Sequence, residues 1–108
     1  MNKPLFFLST GLLLGFSASC LSVELSGEEV FNGPCKTCHA AKSVVPGSPK
    51  MGDRTAWAPR IAKGMDTLFA SAINGVPNTL MSARGTCGDG CTDGELKAAV
   101  EYMVNNSK

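Results

Sequence analysis

Cys35, Cys38 and His39 stand as Cys-x-x-Cys-His, two thiols three residues apart followed at once by an imidazole. On one helical turn both thiols can add to the two vinyl groups of a single porphyrin, and the adjacent imidazole is then held beneath the iron as its proximal ligand. That pattern is the attachment signature of a c-type haem, and a single occurrence implies one covalent haem c per chain. Two other chemistries could use the same thiols. A zinc site could draw on Cys35, Cys38, Cys87 and Cys91, but ribbon-type pairs lie about 15 to 20 residues apart, whereas 48 residues separate Cys38 from Cys87. A thioredoxin-like dithiol needs a neighbouring βαβ unit, and no window of this chain shows the alternation of a strand.

Iron held by His39 alone keeps an open position and suits a haem enzyme or a gas sensor, whereas a second protein ligand closes it and leaves electron transfer. The thioether candidates are Met51, Met65, Met81 and Met103. Met65 and Met103 fall on helical apolar stripes and read as core. Met51 follows so closely behind His39 that it is poorly placed to reach the opposite haem face. Met81 lies in a long irregular loop, where a bond to iron would explain the order, and it is the favoured sixth ligand. The open-iron enzyme or sensor stays as the alternative.

The elements that must position these groups are short and helical. Ser26 and Glu29 form a capping box that starts a helix through Val30 and Phe31, and Gly33 and Pro34 predict its stop. Lys42 to Asp53 carries Pro46, Gly47, Ser48, Pro49 and Gly52 and reads as a loop. Asp53 can cap a helix through Trp57, which Pro59 should break or restart before Gly64. Met65, Leu68, Phe69, Ala72, Ile73 and Val76 recur at steps of three and four, one apolar helix face that ends at Gly75. A second capping box, Thr92 with Glu95, opens a last helix whose inward stripe is Leu96, Ala99, Val100 and Met103, ending near Asn105. The fold class is therefore all-α, four to five short helices around one haem, with no internal repeat.

Length and composition agree with that reading. The chain has 108 residues, enough for one small domain, with 10 Lys plus Arg against 9 Asp plus Glu and only 6% aromatic residues. Near-neutral charge without a basic run excludes nucleic acid as a partner. Residues 1–22 read as a secretory signal peptide, with Lys3, an apolar run from Leu5 to Phe16 and small residues Ser17, Ala18 and Ser19, leaving 23–108 as the mature domain. The run is shorter than the roughly 20 residues that span a bilayer. Export predicts the periplasm and an oxidising compartment. Cys20, at the cleavage region, offers an alternative lipid anchor and the only expected tie to a membrane. The few large apolar side chains make a thin core, the situation in which a cofactor or staple commonly completes a small fold.

From GEEVFNGPCKTCHA through SPKMGDRTAWAPRIAKGMDTLFASAINGV to LMSARGTCGDGCTDGELKAAVEYMV, the sequence resembles the class I c-type cytochromes, and within them the bacterial cytochrome c5 group. The WAPRIAKG stretch and the two cysteines after the loop methionine carry the resemblance most specifically. It implies a monohaem electron carrier with His39 and Met81 as axial ligands, and Phe31 on the first helix crossing Tyr102 on the last. It further implies that the Pro49 carbonyl accepts the other imidazole N–H of His39, and that Trp57 and Arg60 lie near a haem propionate. A cytochrome bc complex as donor, a terminal oxidase or reductase as acceptor and a monomeric state follow from the same resemblance. Relatives often carry prolines directly after the ligand methionine; here Ser82 and Ala83 stand there, which leaves that backbone less constrained. Cys87 and Cys91 enclose Gly88, Asp89 and Gly90 and predict a structural disulfide tying the ligand loop to the last helix. Lys36, Lys42, Lys50, Lys63 and Arg84 read as solvated charges, several of them flanking the segments that should frame the haem edge.

Overall fold

A computed structural model of the chain describes residues 24–108 together with Gly11 and Gly15. The signal peptide expected over 1–22, including Cys20, otherwise lies outside the described residues. Among the described residues there is no strand, and no helix is long and apolar enough to cross a membrane.

The first helical stretch is where the sequence misleads. Ser26 caps α1 (Gly27–Val30): its hydroxyl accepts the Glu29 N–H while the Glu29 carboxylate accepts the Ser26 N–H. The helix does not stop at Gly33 and Pro34. It widens into a π-helical turn over Phe31–Cys35 and resumes as α2 (Lys36–His39). Pro34 has no N–H to donate, and its ring would press on the Val30 carbonyl of a regular α-helix. Widening the turn, so that the Lys36 N–H reaches the Phe31 carbonyl five residues back, removes both problems. Cys35, Cys38 and His39 thereby stay on one continuous helical body with Phe31.

Asp53 caps α3 (Arg54–Ile61) by accepting the Ala56 N–H at 3.1 Å. This helix runs through Pro59 rather than breaking at it. The bond lost is the one to the carbonyl of Thr55, an exposed residue that water can reach. Next come α4 (Met65–Asn74), a 3₁₀ turn (Gly88–Gly90) and α5 (Asp93–Asn105), the last opened by the Thr92–Glu95 capping box.

The core forms where α1 and the π turn cross α5. A Cβ on Gly27 would collide with the Ala98 carbonyl, so the crossing requires glycine at that point. One helical turn on, the Phe31 and Tyr102 rings meet at 5.4 Å with a 52° tilt. Val30, Phe31, Leu96, Ala99, Val100, Met103 and Val104 are buried there, with Trp57 from α3 against the same cluster. The expected stripe of α5 is thus the inner face. The stripe of α4 is covered only in part, and its Leu68 and Ala72 line a cavity.

Candidate cofactor site

That cavity has a volume of about 690 Å³, within the roughly 300–1,000 Å³ typical of cofactor sites. Its lining joins every helix beyond α1. Cys35, Cys38 and His39 come from the first helical body, Trp57 and Arg60 from α3, Leu68 and Ala72 from α4, Met81 from the loop and Val100 and Met103 from α5. Met51 and Met65 pack beside the core and do not line it.

His39 is buried, and its Nδ1–H donates to the Pro49 carbonyl at 2.8 Å. Burial, followed by the nearby charges of Lys50 and Arg60, pushes its pKa down against the opposing effect of the Pro49 bond. The ring is therefore neutral, with the proton on Nδ1 and the Nε2 lone pair available to a metal. Cys35 and Cys38 are unpaired, and burial, with Cys38 beside it, pushes the Cys35 thiol up. A reactive dithiol shows the opposite shift, which argues against the redox-motif alternative. Cys87 and Cys91 are bonded to each other with Cα atoms 5.7 Å apart, which removes two of the four thiolates a zinc site would need.

The Pro-rich loop behind His39 is braced from several sides. The Met51 N–H donates to the His39 carbonyl at 2.7 Å, and the Gly52 N–H donates to the buried Ser107 hydroxyl at 2.9 Å. The Trp57 indole N–H donates to the Lys50 carbonyl at 2.9 Å, so this ring holds the loop through its polar atom and presents carbon to the cavity. Arg60 turns one guanidinium nitrogen back to the Ala56 carbonyl at 2.6 Å while lining the cavity.

Two basic residues expected at the solvated surface are instead structural ties. Lys50 donates through Nζ to the carbonyls of Cys38 and Val45 and to the Ser48 hydroxyl. Arg84, held at φ +57°, donates to the carbonyls of Gly88 and Cys91 and pairs with Asp93 at 2.6 Å. Composition hints at the first of these, since Pro46 and Pro49 supply carbonyls without N–H groups and some other donor must serve the loop. Nothing in the spacing marks Arg84.

The family described as "Cytochrome C oxidase, cbb3-type, subunit III" matches residues 23–103. Cytochrome c-555 of Chlorobaculum tepidum is 44% identical over 85 residues, covering 77% of this chain and 76% of that protein. The chain belongs to the class I c-type cytochromes. This cytochrome is also 39% identical over 80 residues to cytochrome c5 of Ectopseudomonas mendocina, with 72% of this chain and 86% of that one covered. Among solved structures, the "Crystal structure of electron transfer complex of nitrite reductase with cytochrome c" superposes with a TM-score of 0.66 at 36% identity, over 80% of this chain and 99% of that one. The fold is accordingly the small class I cytochrome fold. Family membership carries one covalently attached haem c, and electron transfer rather than enzymatic turnover. The residues fit that group: two unpaired thiols and a neutral imidazole with its outer nitrogen already bonded line one cavity of cofactor size.

Proposed function

We propose that this cytochrome is a periplasmic carrier of single electrons whose iron is low-spin between His39 and Met81. The observation that carries the reading is the shared cavity: Cys35, Cys38 and His39 line it from the first helical body and Met81 lines it from the loop. Cys35 and Cys38 would hold the haem covalently. Pro49 fixes the His39 ring and makes it a stronger ligand by accepting its Nδ1 proton. When bound, haem supplies one iron that takes up and releases a single electron with little change of ligation. Around it, Trp57, Leu68 and Val100 exclude water, and Arg60, with guanidinium N–H groups beyond the one turned to Ala56, would meet a haem propionate. Residues 1–22 would direct export, leaving 23–108 as the mature domain, anchored to a membrane only where Cys20 carries lipid.

Redox proteins are the partners. A cytochrome bc complex is the proposed donor and a terminal oxidase or reductase the acceptor, and the superposition on a cytochrome c taken from a complex with nitrite reductase supports the reductase side. Such contacts are small and short-lived. Optical and electron paramagnetic spectra of the purified holoprotein test the ligation. Low-spin iron with the weak far-red band of a thioether–Fe(III) bond is expected; high-spin iron that binds carbon monoxide at once would instead favour the open-iron class.

A further inference from the structure

Lys50 enters the frame behind His39 with both its side chain and its main chain. Its three ammonium protons are matched by three acceptors, the carbonyls of Cys38 and Val45 and the hydroxyl of Ser48, with the Cys38 carbonyl at 2.9 Å. Ser48 closes the same frame by donating to the Cys38 carbonyl at 2.5 Å. The Lys50 carbonyl meanwhile accepts the Trp57 indole N–H and the Asp53 N–H. Pro49, whose carbonyl receives the His39 proton, is the preceding residue and has no N–H of its own with which to be anchored. Its carbonyl direction is therefore set by what holds Ser48 and Lys50.

The charge is as informative as the bonds. Lys50 is half-buried, and its partners are all neutral oxygens. Among the described residues the only ion pair is Arg84 with Asp93, so no side-chain carboxylate pairs with the Lys50 ammonium. A cation in partly desolvated surroundings acts over longer distances than one in water, and the Lys50 ammonium sits on the carbonyl of Cys38, the residue next to His39.

We propose that Lys50 is a positioning residue for the His39 ligand and, through its positive charge, a determinant of the reduction potential of the iron. This rests on His39 being the proximal ligand. A fixed positive charge near the iron costs less when the iron is Fe(II) than when it is Fe(III), so Lys50 raises the potential. The frame it closes aims the Pro49 carbonyl at Nδ1, which keeps the imidazole in one orientation.

The test compares Lys50→Gln, Lys50→Arg and wild-type holoprotein by potentiometric titration, and by the solvent-exchange rate of the His39 Nδ1–H in the reduced protein. Spectra of wild type come first, because iron not ligated by His39 overturns the ligation reading and this inference together. Given His39 ligation, Lys50→Gln should lower the midpoint potential and speed the exchange while the low-spin spectrum persists, and Lys50→Arg should stay near wild type in both. Where the Gln variant does not accumulate as holoprotein, Lys50→Met, which keeps the length of the stem, is read in the same way. A lowered melting temperature with potential and exchange rate both unchanged overturns the inference. So does a Lys50→Arg potential as low as that of the uncharged variant.

Discussion

Replacing Met81 by Ala separates the ligand from the merely buried methionines. Met81 is half-buried in the loop, and the main-chain bonds that hold it, Val76 N–H to its carbonyl at 2.9 Å and its own N–H to the Thr79 hydroxyl at 3.2 Å, survive in an alanine. Full burial of such a side chain stabilises by about 1.5–3 kcal/mol, so half-burial loses about 1 kcal/mol of packing. In a domain of this size that lowers the melting temperature by about 4–8 °C. Met103 is only 3% exposed, inside the cluster with Phe31, Trp57 and Val100, and its truncation to Ala costs roughly 2–5 kcal/mol. The two variants should therefore differ in kind. Met103→Ala lowers stability with the iron still closed, whereas Met81→Ala alone loses the iron–sulfur bond and with it the far-red band, binds carbon monoxide rapidly and falls in potential, because a thioether favours Fe(II). Thermal melts followed by circular dichroism, optical spectra and a carbon monoxide titration on the same samples read all of this. If Met103→Ala opened the iron while Met81→Ala kept a low-spin spectrum and an unchanged potential, the ligand assignment would be refuted and the covalent haem would stand.

Gly27→Ala should destabilise the fold by about 1–3 kcal/mol, the range for overpacking, because the new methyl group meets the Ala98 carbonyl; denaturant midpoints measure it, and a variant as stable as wild type would mean the crossing is not tight. Replacing Cys87 and Cys91 together by Ser should cost about 2–3 kcal/mol, the low end for a disulfide because the loop is small, and two thiols labelled in the native, unreduced protein would contradict the pairing. The Glu95 carboxylate accepts the Thr92 N–H and, from outside its own helix, the Leu25 N–H, each at 2.9 Å, and these bonds hold its pKa below the ordinary value against the opposing effect of burial. A folded pKa below the unfolded one means that stability is present above the unfolded value and is lost as pH falls through the folded one. Glu95→Gln should accordingly flatten the acid limb of the stability–pH curve, and an unchanged limb would exclude this carboxylate as a source of acid sensitivity.

What the chain declares locally is what local chemistry controls. Capping boxes at Ser26 and Thr92 need only three residues of sequence to close, and both close. The stripe of Leu96, Ala99, Val100 and Met103 follows from helical periodicity and is the buried face of α5. Cys35, Cys38 and His39 announce their cofactor because the reacting atoms must sit on one turn, a constraint that spacing alone expresses. Single-residue rules failed at proline. Pro34 is expected to end a helix and Pro59 to break or restart one, and neither does, because a widened turn in one case and an exposed carbonyl in the other remove the cost on which the rule rests. Long-range partners were beyond reach of any pattern. That Gly27 faces the Ala98 carbonyl and that Ser107 accepts the Gly52 N–H depend on segments far apart in sequence that packing brings together, whereas Lys50 and Arg84 tie residues only two to twelve positions away, through loop conformations that no periodicity expresses. An N–H, a carbonyl or an ammonium has the same composition wherever it stands; its partner is chosen by three-dimensional proximity, and the packing of the helices around the cavity decides that proximity.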